Sequence, residues 1–281
     1  NLREFSDKNI NLKVYSKGYL DSKKNKISAL NKYMFKDSYI VTGTKYELKK
    51  IDAVLFTNTN QKLSGIFSAK IPDQMINGSI SVFNNKLTLR SDVSIKMDDF
   101  VNFGDYLNLS GTEIFNAKLF IDKNASLELI SNLSNTTFSS KIDELNKRPS
   151  DNLKTKILIS DLSQPTYEIE NNKFSAFIND NNGYFSLGSS FDEDIKKLNF
   201  IDGFYIFLEL DDLKIRNLVL DNQLNGDSNL KLIKLKIKQL DFFNNIYFDQ
   251  LFEINFSGDE TESFFYGNNL NGTLRIDSSG F

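Results

Sequence analysis

Apolar and polar side chains alternate along most of this chain, and a period of two commits a polypeptide to strands with one buried and one wet face. From Leu87 the odd positions read Leu87, Leu89, Ser91, Val93, Ile95 and Met97, while the even ones read Thr88, Arg90, Asp92, Ser94 and Lys96. The arrangement recurs in Phe115, Ala117, Leu119 and Ile121, in Phe174, Ala176 and Ile178, in Phe204, Ile206, Leu208 and Leu210, and in Ile254 and Phe256. Between the runs stand residues that tolerate a left-handed backbone: Asn84-Asn85, Lys123-Asn124, Asn171-Asn172, Asp180 to Gly183, Asn244-Asn245 and Asn271-Gly272. Such punctuation predicts hairpins and an antiparallel meander. In Leu230 to Lys238 the apolar parity switches at Leu232-Ile233, which predicts a bulge. Lys231, Lys234, Lys236 and Lys238 then mark the solvent side.

Helical signals are few. Ser190 to Leu198 has a cap-like Ser, acids in the first turn, Lys later and an apolar edge of Phe191, Ile195 and Leu198, which predicts a helix of two or three turns. Asp98 to Phe103 and Lys141 to Leu145 read as single turns. So little helix cannot cover the apolar face that so many strands create. The cover must come from a second sheet of the same chain, from the sheet curling on itself, from solenoid-like stacking, or from a ligand with hydrocarbon chains. Periodicity alone leaves all of these open.

Composition narrows the function classes. The 281 residues include no Cys, His or Trp, so thiol or imidazole nucleophiles, Cys/His metal sites and disulfides are excluded. A 40% hydrophobic content with 25 Phe supplies a core for one large domain or two ordinary ones. The net charge is -3 and only five of the 34 basic residues are Arg, so no nucleic-acid partner is expected. Carboxylate pairs at Asp98/Asp99, Asp211/Asp212 and Glu260 with Glu262 read as solvated, because adjacent acids on a strand point to opposite faces; no enzyme activity and no cofactor are expected. Asp192 with Asp194, and Asp180 through Gly183, lack the spacing of a calcium loop, so no metal is expected either. No window approaches the roughly 18 apolar residues of a membrane-spanning helix. The start at Asn1-Leu2-Arg3-Glu4 and the stop just after Gly272 to Ile276 read as the ends of a section cut from a longer chain. Missing Cys fits a reduced cytosol and a periplasm equally.

A longer pattern begins at Leu109-Ser110-Gly111-Thr112, runs into the strand ending Phe120-Ile121-Asp122, and continues through Leu127 to Phe138 to Leu145-Asn146-Lys147-Arg148-Pro149. This order resembles the YhdP type of AsmA-like proteins, in which an "LSG" strand precedes an "SDL-x-GL" segment, a Pro-rich stretch and a further strand. Ile71-Pro72, Gly78 to Val82 and Lys86 to Leu89 are similar to the family's "G-x-L-x-F" hairpin. Leu230 to Leu240, Tyr247 to Phe256 and Leu270 to Ile276 resemble its later strands. Residues 70–281 carry the resemblance. Asn132 and Asn135 stand where the family has Asp and Gly, the Pro pair near Lys141 to Glu144 is missing, and Asp277 stands where Pro is usual.

The resemblance implies one continuous section, residues 1–281, of a long, twisted, largely antiparallel sheet curled into an elongated hydrophobic groove, with a few short helices. It also implies a periplasmic location, an inner-membrane anchor in a segment absent from this chain, and transfer of phospholipid toward the outer membrane or a protein within it. The residues expected to line the groove are the apolar alternates Leu87, Leu89, Val93, Ile95, Met97, Phe115, Leu119, Ile121, Phe174, Ile178, Phe204, Ile206, Leu208, Leu235, Ile237, Ile254 and Phe256. The competing expectation is a self-packed β-domain of an adhesin or of an outer-membrane assembly factor, in which the same residues form a dry core.

Overall fold

The computed structural model describes residues 8–9, 11–21, 26–41, 47–57, 62–71, 74–84, 86–99, 107–140, 142–162, 164–180, 182–198, 203–215, 229–257 and 260–276. Among these residues the chain is mostly β, an open and largely antiparallel sheet with one short α-helix and two 3₁₀ turns, as the alternation predicts. In chain order the strands are β1 (Lys8–Asn9), β2 (Leu12–Asp21), β3 (Lys26–Val41), β4 (Glu47–Thr57), β5 (Leu63–Ile71), β6 (Gln74–Phe83), β7 (Lys86–Lys96), β8 (Leu107–Ile121), β9 (Ala125–Ser131) and β10 (Thr136–Ser140). They continue as β11 (Thr155–Ser160), β12 (Thr166–Glu170), β13 (Phe174–Asn179), β14 (Asn182–Leu187), β15 (Phe204–Ile215), β16 (Leu230–Phe242), β17 (Asn245–Ser257), β18 (Glu260–Tyr266) and β19 (Gly272–Ile276). Helix α1 (Asp192–Lys197) lies between β14 and β15, and the 3₁₀ turns are Met97–Asp99 and Asp143–Leu145. The chain divides into two compact units, one of Asn1–Asn102, Leu109–Thr136 and Pro149–Pro165, the other of Phe103–Asn108, Thr137–Arg148 and Thr166–Phe281.

In the first unit each strand from β2 to β9 pairs antiparallel with the next, β1 pairs with β3, and β11 pairs with β9. Its hydrophobic cluster is built on Ala53, Leu55, Phe67 and Ala69, with Tyr33, Phe35, Ile51, Leu63, Ile76, Ile80 and Leu89 packed against them. Every member comes from β3 to β7 of one face, so among the described residues this cluster is built from lateral neighbours. Lateral shelter requires the face to be concave, and the backbone supplies the bends. A Cβ on Gly65 would lie 1.8 Å from the Val54 carbonyl oxygen, and one on Gly78 would lie 1.8 Å from that of Arg90. No side chain fits at either position, and the Phe67 ring lies over Gly78. Bulges add to the bend: the β3–β4 register shifts between Phe35 and Ser38 and again before Ile40, and the β4–β5 register shifts between Lys49 and Asp52. Asp37 (φ 48°) and Lys50 (φ 49°) sit at these shifts.

The second unit runs antiparallel from β12 to β14, parallel from β14 to β15 and from β15 to β16, then antiparallel to β19. The meander expected from the hairpin signals is therefore interrupted. After Leu187 the chain enters Gly188-Ser189-Ser190 and α1 where a hairpin would need a tight turn, and a parallel pair needs such a crossover. Both faces of this unit carry short lids. Ile142 and Leu145, from the segment of the second 3₁₀ turn, pack with Leu187, Leu210, Ile237 and Leu240 on one face. Phe191, Ile195 and Leu198, from and around α1, pack with Tyr205 and Phe207 on the other.

Local expectations hold with small displacements. The helix expected over Ser190 to Leu198 is the single-turn-and-a-half α1, and Phe191, not Ser190, precedes it, with no side-chain cap. The turn expected over Asp98 to Phe103 begins at Met97, and residues 100–103 lie outside the described residues. The bulge in β16 lies slightly upstream of Leu232-Ile233: Phe204 pairs with Leu230 and Tyr205 with Leu232, leaving Lys231 as the extra residue. Gly78→Val, which forces a Cβ into the Arg90 carbonyl, is expected to destabilise the first unit by about 2–3 kcal/mol, measured as a lower denaturant midpoint.

Candidate functional site

The registers place the apolar alternates of the first unit in unbroken rows. One row runs Val14, Tyr33, Leu55, Gly65, Ile80, Leu89, Leu119, Leu127 and Ile159, each residue the direct cross-strand partner of the next. A second runs Leu12, Phe35, Ala53, Phe67, Gly78, Ser91, Ala117, Leu129 and Ile157. Leu63, Val82, Leu87, Ile121 and Ala125 form part of a third. Nine strands thus present one oily strip. It is most open at β2, where Val14 is 55% exposed, and closed further in, where Leu55 is buried.

Of the residues expected to line a groove, Leu87, Leu89, Val93, Ile95, Leu119 and Ile121 are half-buried on this face, and Phe115 is buried there, paired with Val93. Met97 is buried in the first 3₁₀ turn, beyond the end of β7. In the second unit Phe174, Leu187, Leu208, Leu235, Phe252 and Phe265 form one cross-strand row. Ala176, Phe185, Ile206, Ile233 and Ile254 form the next, and Ile178, Gly183, Phe204 and Leu230 a third. The expected Phe174, Ile178, Phe204, Ile206, Leu208, Leu235, Ile237 and Ile254 therefore share one face, and strand alternation puts Phe256 with them. Ile237 is fully buried under the Leu145 lid, and the others are half-buried.

Alternation beginning at Leu87 missed the first half of the strip. Tyr33, Leu55, Phe67 and Ile80 belong to it, but Lys49 to Phe56 reads through bulges and a continuous apolar run that hide the period. Also missed was a polar interruption. Glu113 is Ile95's cross-strand partner, is 3% exposed, and stands at the parity of Phe115 and Ala117, where an acid is out of place; that mismatch was the available signal. Its carboxyl accepts hydrogen bonds from Ser131 Oγ at 2.7 Å, the Asn135 N–H at 2.8 Å and Thr136 Oγ1 at 3.3 Å. This satisfies a buried group that would otherwise be costly, and ties β8 to the turn after β9. Gly111 (φ 108°) allows the close approach, since a Cβ there would lie 2.3 Å from the Asn135 carbonyl oxygen.

Other charged side chains pair on the opposite faces. On the first unit's wet face Glu128 lies between Lys118 at 2.6 Å and Lys156 at 3.4 Å, and the Lys118 hydrogen bond, with Coulombic help from both lysines, holds its carboxyl below the ordinary range. In the second unit the lysine side of β16 is neutralised. Lys234 lies 3.2 Å from Asp194 and 3.4 Å from Glu253, Lys236 4.0 Å from Glu209, and Lys238 contacts Asp211 at 2.5 Å. Burial works against the charge of Lys234, yet the hydrogen bond to Asp194 and the field of Glu253 raise its pKa. These lysines pin α1 and the neighbouring strands; they are not a basic row for phosphate.

Asp211 is engaged with Lys238, while the side chains of Asp99 and Glu260 lie outside the described residues. Among the described residues no group of His, Cys, Asp and Glu could hold a metal ion, and no helix is long and apolar enough to cross a membrane.

Glu113→Ala strips three donors of their shared acceptor and is expected to cost about 2–4 kcal/mol of stability, read from chemical unfolding. Because Glu128 has a lowered folded pKa, its contribution is present above the ordinary value of 4.5 and is lost as pH falls through the folded value. Glu128→Gln should therefore unfold with a shallower acid dependence than the parent below that pH, measured by thermal melts across an acid series. No family model matches the chain, and no curated protein or solved structure matches it.

Proposed function

We propose that this chain is a periplasmic section of a bridge-like lipid transfer protein, carrying phospholipid acyl chains along an apolar groove between the inner and outer membranes. The observation that carries the reading is the strip of the first unit: largely apolar cross-strand rows running from β2 to β11, with a core cluster that among the described residues draws on neighbouring strands of one face. Each methylene kept out of water is worth about 0.8 kcal/mol, so a face of this kind lowers the cost of moving an acyl chain through an aqueous space. A phosphate head would stay at the wet margin. No bond is made or broken, and no catalytic residue or cofactor is required. The order of motifs over residues 70–281, which resembles the YhdP type of AsmA-like proteins, supports the same reading and supplies the expected anchor, location and outer-membrane destination.

The second reading, a self-packed interaction domain of an adhesin or outer-membrane assembly factor, is favoured by the second unit. There α1 lies on one face and the Ile142–Leu145 segment on the other, so much of the apolar surface has a protein cover.

Protein produced in a bacterial periplasm and purified without detergent is expected to carry phospholipid detectable by mass spectrometry. Replacing the half-buried Ile80 and Leu89 with Asp together should lower the bound phospholipid at least about tenfold, with an unchanged far-ultraviolet circular dichroism spectrum. Absence of lipid from the parent protein would favour the second reading.

A further inference from the structure

The β16–β17 hairpin ends in a tip that neither apolar face absorbs. From Phe242 to Phe248 the sequence is Phe-Phe-Asn-Asn-Ile-Tyr-Phe, seven residues without a charge in a chain that is one quarter charged. Phe242 is 37% exposed, Phe243 65%, Ile246 55% and Phe248 55%. The turn itself is two residues long, with Phe243 at φ 48° and Asn244 at φ 65°. Such a turn favours Asn or Gly at both positions, and a bulky aromatic residue in the left-handed region is strained. The Phe243 ring is therefore held at the apex against local preference, packed edge-on to Phe242 with centroids 4.8 Å apart.

The distribution of these side chains selects the kind of partner. Leu240 pairs with Tyr247 and both join the cluster under Leu145, so Phe242 projects on that side of the hairpin. Ile246 and Phe248, opposite Asp241 and Gln239, project on the other side, and Phe243 caps the end. A protein groove would cover one side of a hairpin. Exposed apolar side chains on both sides and at the apex, beyond Asp241 and Asp249 at the base, suit a medium that surrounds the tip to a shallow depth, and rings at the end of a ribbon suit the boundary between headgroups and acyl chains. The polar groups limit the depth. Asn244 N–H donates to Asp241 Oδ1 at 3.1 Å, and the Asn244 and Asn245 side chains stay at the turn, where headgroups and water can solvate them.

We infer that this hairpin tip is a shallow membrane-docking element that inserts Phe243, with Phe242, Ile246 and Phe248, into a lipid surface. The inference does not depend on whether the apolar rows hold acyl chains.

The chain has no Trp, so Phe243→Trp gives a single fluorescent reporter at the apex. With vesicles of equal parts phosphatidylethanolamine and phosphatidylglycerol, its emission should move to shorter wavelength and be quenched by lipids brominated along the acyl chain. Binding should persist as salt rises from about 0.1 to 0.5 M, because the tip is uncharged. Phe243→Asn with Phe248→Thr suits the turn and the strand and should keep the fold, yet vesicle flotation should fall at least about tenfold. The same variant should keep any phospholipid that co-purifies with the parent, which separates the docking tip from the proposed carrier face. Unchanged Trp emission with vesicles, flotation of the double variant equal to the parent, or a tip that mediates self-association in place of vesicle binding would each overturn the inference.

Discussion

The governing constraint is the mismatch between apolar strand surface and the polypeptide available to cover it. A sheet face can exclude water in two ways: by receiving another layer, or by bending until neighbouring side chains shelter each other. The first unit takes the second course. Leu55, Phe67 and Ala69 are buried although their cluster draws only on adjacent strands of one face, and two side-chain-free positions with two bulges provide the necessary bend. The hydrophobic strip and the curvature are thus one feature seen from two directions.

The second unit meets the same constraint with lids. Its parallel β14 and β15 are joined through the crossover helix α1, and that segment brings Phe191 and Ile195 onto one face while its acid Asp194 meets Lys234. On the other face the segment around Leu145 is held by Glu144, whose carboxyl accepts from the Asp211 N–H at 2.6 Å. A half-buried lysine such as Lys234 would be a liability by itself; with two acids beside it, it becomes the fastening for a helix too short to persist alone.

Much of the fold was legible because its grammar is local. The expected turns at Lys123-Asn124 and Asn171-Asn172 fall between antiparallel strands, whereas the β16–β17 turn is Phe243-Asn244, one residue upstream of the expected Asn244-Asn245, and Gly272 already belongs to β19. The groove candidates of the second unit share a face because parity is preserved from strand to strand once register is set. What escaped were events that break parity. Asp37 and Lys50 sit at register shifts that flip the pattern, so the stretch before Leu63 offered no clean alternation, whereas the bulge at Lys231 was announced by the parity switch at Leu232-Ile233. Glu113 escaped for a different reason: its role depends on Ser131, Asn135 and Thr136, which lie some twenty residues on and become partners only when β8 meets β9. The parallel β14–β15 pair rests on a crossover through α1, which leaves no mark in period-two counting.

The plain up-and-down order of the first unit carries an evolutionary consequence. In a ribbon where strands answer chiefly to those beside them, excising or duplicating one hairpin leaves the direction and sidedness of every later strand intact, since two reversals cancel. Length can then drift by whole hairpins without redesign of the remainder, whereas loss of a lone strand would turn everything downstream inside out. Such a ribbon can be tailored to a distance in increments, like a ladder cut to height by removing rungs in twos.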